Sequence, residues 1–253
     1  MILSSWGISD IGNKRLINED FFFTNDQHHL YVIADGMGGH AGGEYASKIA
    51  VMTVKEIMTT ARTSEPFKKY FDKAYISDDH EHTLKNSLLL ASTKIALHAA
   101  ENVELKGMGT TCVGLFIEGT HAYVAYVGDS RLYLLRNTTF SQLTDDHSLV
   151  NEQLKMGIIS KEEAARHAFK NIITRSIGVT ENVDVDSFQC TIQKDDIFML
   201  ATDGLSNMLQ GDEIKKILLE HDIQTAVRKL ISQANAYGGD DNVTVVLIKV
   251  MEI

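Results

Sequence analysis

The stretch TTCVGLFIEGTHAYVAYVGDSRLYLLR, residues 110–136, decides the fold class. It holds three apolar runs, 110–117, 122–127 and 131–136, joined by Glu118-Gly119-Thr120, with His121 after it, and by Gly128-Asp129-Ser130. Links this short cannot carry a crossover helix, so the runs are expected to form antiparallel hairpins and not βαβ units. Upstream, residues 3–9, 20–24 and 30–34 also read as strands, the last two turning through Asp26-Gln27-His28-His29. Helical spacing follows over 44–62, with Ala46, Ile49, Ala50, Val54, Ile57, Met58 and Ala61 on one face. After the single proline, Pro66, a second helix is expected over about 79–104, with Leu84, Leu88, Ala91 and Ile95 in a stripe and Ser77-Asp78-Asp79 as its cap.

Residues 145–180 depart from this pattern with short polar helices, one opened by the capping-box spacing Ser160-Lys161-Glu162-Glu163, and read as a flap. Strands are expected again at 183–192, 197–201 and 243–250, and helices at about 212–220 and 222–236. Helices and strands are thereby segregated into layers. With no repeat, linker or low-complexity segment, a single domain over 1–253 is expected.

A chain of 253 residues that is 44% hydrophobic has ample material for a packed core. No apolar run approaches the roughly 20 residues of a membrane span, and Met1-Ile2-Leu3-Ser4-Ser5 lacks the basic start and long apolar core of a leader. A cytoplasmic protein without membrane contact is expected. Cys112 and Cys190 sit in strand-like runs without CxxC spacing and read as buried thiols. A net charge of -10 with no Lys/Arg cluster argues against nucleic acid as a partner.

The chemistry lies in four acidic motifs far apart in the chain: Asn18-Glu19-Asp20, Asp35-Gly36, Asp203-Gly204 and Asp240-Asp241-Asn242. Asp and Gly are poor strand formers, so an Asp-Gly step after 30–34, and again after 197–201, is expected to set a carboxylate at a strand end. One such acid is usually a turn former. Several at matching strand ends, with Gly128-Asp129-Ser130-Arg131 besides, suggest a cage of oxygen ligands, which suits Mg²⁺ or Mn²⁺ and not zinc. The loop from Gly36 to Gly43 also fits a loose dinucleotide fingerprint, Gly36-x-Gly38-x-x-Ala41. That reading needs an acid ending a second parallel strand about 20 residues on, where this chain has the middle of a helix around Glu56.

Nearly end to end, the sequence resembles the metal-dependent protein phosphatases of the protein phosphatase 2C (PPM) family in their compact bacterial form. The resemblance is carried by Arg15-Leu16-Ile17-Asn18-Glu19-Asp20, Ala34-Asp35-Gly36-Met37-Gly38-Gly39-His40, Gly109-Thr110-Thr111, Gly128-Asp129-Ser130-Arg131, Leu143-Thr144-Asp145-Asp146-His147-Ser148, Asn171-Ile172-Ile173-Thr174-Arg175, Ala201-Thr202-Asp203-Gly204 and Asp241-Asn242-Val243-Thr244. It implies an α+β fold, a four-layer α/β/β/α sandwich of two antiparallel sheets flanked by helices, with a dinuclear Mn²⁺ or Mg²⁺ site at one edge and a weaker third ion.

By the same resemblance, Asp35 would bridge two metals, the Gly36 carbonyl and waters would complete one, and Asp203 with Asp241 would hold the other. Asp129 would join Asp203 at the third. Asp20 and Glu19 would act through metal-bound water, and Arg15 would bind phosphate, for which a guanidinium fork is suited. Met37 stands where the animal enzymes carry a histidine proposed as general acid, which leaves His40 as the candidate here. In the flap, His167-Ala168-Phe169-Lys170 replaces a common His-Pro-x-Arg.

The implied activity is that of a serine/threonine protein phosphatase, in which a metal-bridging hydroxide attacks phosphorus in line while Arg15 and the metals stabilise the equatorial oxygens. Phosphorylated proteins are the implied partners, with a cognate serine/threonine kinase as opponent and a monomeric enzyme. Two alternatives share the fold: a phosphatase of a phosphorylated anti-sigma antagonist, and a catalytically silent binding module.

Overall fold

The computed structural model describes residues 1–38, 42–60, 79–169, 171–180 and 183–253. Its strands form two sheets, and every pairing is antiparallel. One sheet has the order β1 (Ile2–Asp10), β11 (Val243–Glu252), β10 (Ile197–Ala201), β7 (Arg131–Arg136), β8 (Thr139–Gln142). The other runs β2 (Asp20–Asn25), β3 (Leu30–Met37), β5 (Cys112–Glu118), β6 (His121–Val127), β9 (Asp186–Thr191), with β4 (Gly109–Thr110) paired to the end of β3.

Period-two alternation sorts the side chains of each strand into different cores. On β3, Tyr31 and Ile33 enter the layer between the sheets with Leu115, Val124, Phe198, Leu200, Val246 and Ile248. Their neighbours Leu30, Val32 and Ala34 face the opposite way, onto Ala50, Val54, Leu84 and Leu88 of α1 (Gly42–Thr60) and α2 (His80–Glu101). On β11, Val246 and Ile248 point between the sheets, whereas Val245 and Leu247 pack under Leu218, Val227 and Leu230 of α6 (Gly211–Glu220) and α7 (Ile223–Ala236). The expected four-layer α/β/β/α sandwich is the result. Burying each such side chain contributes roughly 1.5–3 kcal/mol, so the three apolar layers, and not the half-exposed ion pairs, hold the sandwich together.

With both faces of a strand apolar, alternation alone cannot choose a pairing register, and the turns do so. Glu118 opposes His121 across the two-residue loop Gly119-Thr120, with Gly119 at φ +57°. Asn25 opposes Leu30 across a loop ending in His29 at φ 50°.

Several expectations need correction. The Gly128-Asp129-Ser130 link is not a hairpin: β6 lies in one sheet and β7 in the other, so this turn crosses between them. β3 does not stop at Ala34; Gly36 and Met37 pair with Thr110 and Gly109, which puts Asp35 inside the strand, opposite Asp20. The polar strand β8 and the short helix α5 (Asp203–Ser206) lack an apolar signature and were not expected. The second helix ends at Glu101 and is followed by a 3₁₀ turn, Val103–Leu105.

Other features match the sequence reading. Asp79 caps α2 by accepting from the Glu81 and His82 amides, and Ser160 and Glu163 form the expected capping box on α4 (Lys161–Ala165), which follows α3 (Leu149–Lys155). Cys112 is buried and Cys190 half-buried, both free. No described helix is long and apolar enough to cross a membrane.

Candidate metal centre

Antiparallel pairing brings one end of each of several strands to a common edge. Ala201 opposes Val245, so the end of β10 meets the start of β11; Asp20 opposes Asp35, so the start of β2 meets the end of β3. The turn between β6 and β7 reaches the same edge, because Ala201 also opposes Arg131. Asp20, Asp35, Asp129, Asp203 and Asp241 therefore converge from both sheets, although more than two hundred residues separate the first from the last.

Close backbone approach makes the convergence possible. A Cβ at Gly36 would lie 2.0 Å from the Gly43 carbonyl oxygen and 2.6 Å from that of Glu19, and one at Gly204 would lie 2.0 Å from the Asn242 carbonyl oxygen. Only glycine lets Asp35 sit against Glu19 and the start of α1, and Asp203 against the Asp241-Asn242 turn. Asn242 then ties the ends together: its Oδ1 accepts from the Glu19 amide at 2.8 Å and its Nδ2 donates to the Ile11 and Ile17 carbonyls at 3.0 Å. The backbone of Asp35 is clamped as well, its amide donating to Thr111 Oγ1 at 3.0 Å and its carbonyl accepting from Thr110 Oγ1 at 2.8 Å.

Asp20 is buried, and its Oδ2 accepts from the hydroxyls of Thr202 at 2.9 Å and Thr244 at 2.7 Å. Burial, with Asp203 and Asp241 nearby, still pushes its pKa up to about 7. Asp129 is pushed up to about 7 by burial and by Asp203, and Asp203 to about 6 by burial and by Asp241. Asp35, part of whose surface is open to solvent, is raised well above the ordinary carboxylate range by the desolvation of its carboxyl and by Asp20, Asp203 and Asp129. Burial raises Glu19 too, although Arg15 opposes the shift.

The donor set fits a hard divalent cation. Glu19 Oε1, Asp20 Oδ1, Asp129 Oδ1 and Asp203 Oδ1 are buried without a hydrogen-bond partner, an expensive arrangement for acids unless a cation or a proton meets them. Among the described residues no three Asp, Glu, His or Cys side chains are gathered closely enough to grip an ion without adjustment. Asp241 commits both oxygens elsewhere, Oδ2 to Arg15 Nη2 at 2.7 Å and Oδ1 to the Asn242 amide at 2.8 Å. Mutual repulsion among the remaining acids works against a tighter gathering.

Of the residues singled out from the sequence, Arg15, Glu19, Asp20, Asp35, Gly36, Asp129, Asp203 and Asp241 all meet at this edge, and His40 lies outside the described residues. The roles of Thr202, Thr244, Thr110, Thr111 and Asn242 were not anticipated. Thr202, Asn242 and Thr244 are adjacent to one of the acids or inside the same short motif, where a hydroxyl or amide flanking a buried acid was the available signal; Thr110 and Thr111 reach Asp35 from more than seventy residues away, and nothing local marks them.

The protein phosphatase 2C family model matches residues 10–247. The serine/threonine phosphatase stp of Listeria welshimeri is 38% identical over 247 residues, covering 95% of this chain and 93% of that one. Among solved structures, the Mycobacterium tuberculosis serine/threonine phosphatase PstP/Ppp superposes with a TM-score of 0.89 at 28% identity, covering both chains completely. The catalytic domain of PstP in complex with 2 manganese ions gives 0.85 at 29% identity, covering 99% of each chain. The chain belongs to the protein phosphatase 2C family and is a phosphoprotein phosphatase.

The raised acids give the metal-free protein a defined pH response. Each has a folded pKa above its ordinary value of 3.8, so the stability it contributes is complete below that value and is lost as the pH rises through the folded one. In chelator, the melting temperature of Asp20→Asn relative to wild type is expected to climb steadily between about pH 4 and about pH 7, because the variant lacks one group that resists ionisation. Parallel pH profiles for the two proteins would show that Asp20 ionises without penalty.

Proposed function

We propose that this phosphatase hydrolyses phosphoserine and phosphothreonine in proteins, with Mn²⁺ or Mg²⁺ held between Asp35, the Gly36 carbonyl, Asp203 and Asp241, and a weaker third ion shared by Asp129 and Asp203. The observation that carries this reading is the set of unpartnered carboxylate oxygens converging from both sheets. Bound at this edge, the cations would supply the positive charge that lets a dianionic phosphate approach and the means of activating water near neutral pH. The names of the relatives support the substrate class, and the PstP complex with 2 manganese ions supports the choice of metal.

The chain's own residues have separable tasks in this scheme. Asp35 neutralises and centres the cationic charge, while Asp20, anchored by Thr202 and Thr244, and Glu19 orient water next to it. Arg15 presents the phosphate-binding fork. Its link to Asp241 is half-exposed, at 47% and 31% side-chain exposure, and a pair of that kind is worth only about 0–1 kcal/mol. A phosphate can therefore take the guanidinium from Asp241, freeing that carboxylate to turn toward a cation. Protonation of the leaving serine or threonine oxygen is assigned to His40 from the sequence alone.

Residues 145–180 would act as a flap beside the centre, within one domain. Between Met37 and residues 173–176, 179, 180, 183 and 184 lies a slot of about 370 Å³ that can take substrate polypeptide flanking the phosphate. We place the enzyme in the cytoplasm as a monomer, opposite a serine/threonine protein kinase.

Asp35→Asn is expected to lower turnover of a phosphopeptide by more than about 10²-fold at saturating Mn²⁺, given that a single preorganised electrostatic contact is commonly worth 10²–10³. Chelation should silence the wild type and Mn²⁺ restore it. Near-normal turnover by the variant, or activity indifferent to chelator, contradicts the assignment.

Arg15→Ala is expected to raise KM for a phosphopeptide by roughly 10- to 100-fold, the equivalent of a charged hydrogen bond of about 1.5–3 kcal/mol, with a smaller fall in kcat. An unchanged KM would return Arg15 to a solvated loop residue held by Asp241.

A further inference from the structure

Beside the acidic centre stands a buried histidine that the scheme above does not use. His147 is 5% exposed and stacks on Tyr126 with ring centroids 5.2 Å apart at 18°. It holds both backbone groups of Gly128, the residue before Asp129. The Gly128 amide donates to His147 Nδ1 at 3.1 Å, and the His147 amide donates to the Gly128 carbonyl at 3.0 Å. Because Nδ1 accepts, the ring proton is on Nε2, which faces Asp186 Oδ2 at 3.3 Å. The other oxygen of Asp186 accepts from Arg175 Nη1 at 3.0 Å. Burial, reinforced by Arg175, holds the imidazole below its ordinary pKa, which keeps this neutral tautomer in place near neutral pH.

The chain enters and leaves the flap at this same residue. The His147 carbonyl accepts from the Thr174 amide at 2.8 Å, Ser148 bridges Ile173, and the Leu149 amide donates to the Ile172 carbonyl at 2.9 Å. Toward the centre, Gly128, at φ +105°, lies against Thr111, whose hydroxyl meets Ser130 Oγ at 2.7 Å and takes the Asp35 amide. A continuous path of short contacts thus runs from Arg175 and Asp186 through one imidazole to Gly128, Thr111 and Asp35.

We infer that His147 is a positioning residue for the reaction: its two ring nitrogens fix the turn carrying Asp129 to the base of the flap, so that a phosphoprotein seated on the flap meets the acidic centre in register. Packing against Tyr126 requires only a flat ring. Bonds at both nitrogens, one to the catalytic edge and one to the residue pair at the flap base, require an imidazole. The inference rests on the proposed phosphoprotein activity.

Asparagine and glutamine separate the two arms, since the Asn amide oxygen falls near Nδ1 and the Gln amide nitrogen near Nε2. His147→Asn keeps the Gly128 bond and loses Asp186. Its KM for a phosphopeptide is expected to rise about two- to tenfold, the value of one hydrogen bond, while its kinetics on a small aryl phosphate stay at the wild-type level. His147→Gln keeps Asp186 and loses Gly128. Its Gly128 amide is expected to exchange with deuterium about two- to tenfold faster in metal-free protein, and kcat to fall on both substrates.

Parallel losses on both substrates in both variants, with KM and Gly128 exchange unchanged, would show that His147 only fills space. If neither variant folds, Asp186→Asn at the half-exposed end of the path takes the place of the first. It is expected to raise KM for the phosphopeptide alone, and an unchanged KM overturns the inference. A wild type without phosphatase activity would refute the proposed function, and the exchange comparison in metal-free protein would still judge His147.

Discussion

Asp20, Asp35, Asp129 and Asp203 are brought to one edge of the sandwich, where Asp20, Asp203 and Asp129 each raise the cost of ionising Asp35 and Asp203 does the same to Asp20 and Asp129. The rest of the molecule is arranged to hold those like charges together. Three apolar layers hold the two sheets together, glycines at 36 and 204 let the carrying loops touch, and the hydroxyls of Thr110 and Thr111, with Asn242, saturate the backbone around them. What remains unsatisfied is a set of carboxylate oxygens. In a protein already at a net charge of -10, such a concentration of acid is tolerable with protons or with cations, and only cations make it attractive to a phosphate.

This view also gives sense to the Arg15–Asp241 contact. With the acids unscreened, a mobile positive charge is drawn to an acid that solvent still reaches, and a half-exposed guanidinium 2.7 Å from Asp241 is that response. Charge brought in by cations and charge brought in by phosphate compete for these same two side chains. Phosphate binding and the organisation of the centre are thereby linked in the proposed scheme.

Much of this was legible in the sequence because it follows from short-range rules. Strand 197–201 was read with its observed bounds, the antiparallel arrangement followed from the short links around Gly119, and the spacing of acids at strand ends led to the residues that meet at the edge. The unread parts depend on long-range geometry. Nothing local distinguishes the hairpin at Gly119 from the crossing at Gly128, since both are glycine turns between apolar runs, and the choice is made by β7 pairing with β10 and β8. That Asp35 is inside β3 depends on Gly109 and Thr110 arriving from over seventy residues away. The hydroxyls on Asp20 acquire their task only once the two sheets meet, and the imidazole on Gly128 only once residue 147 returns to the turn before Asp129.

The central claim is that the acidic edge exchanges protons for cations. Calorimetric titration of Mn²⁺ into chelator-stripped protein, repeated in buffers of different ionisation enthalpy, measures the protons released on binding. Because Asp20 and Asp129 are pushed up to about 7 and Asp203 to about 6, the expected result is saturable binding with net proton release near pH 6.5 that shrinks toward pH 8. Absence of binding, or binding without proton release at the lower pH, would contradict it.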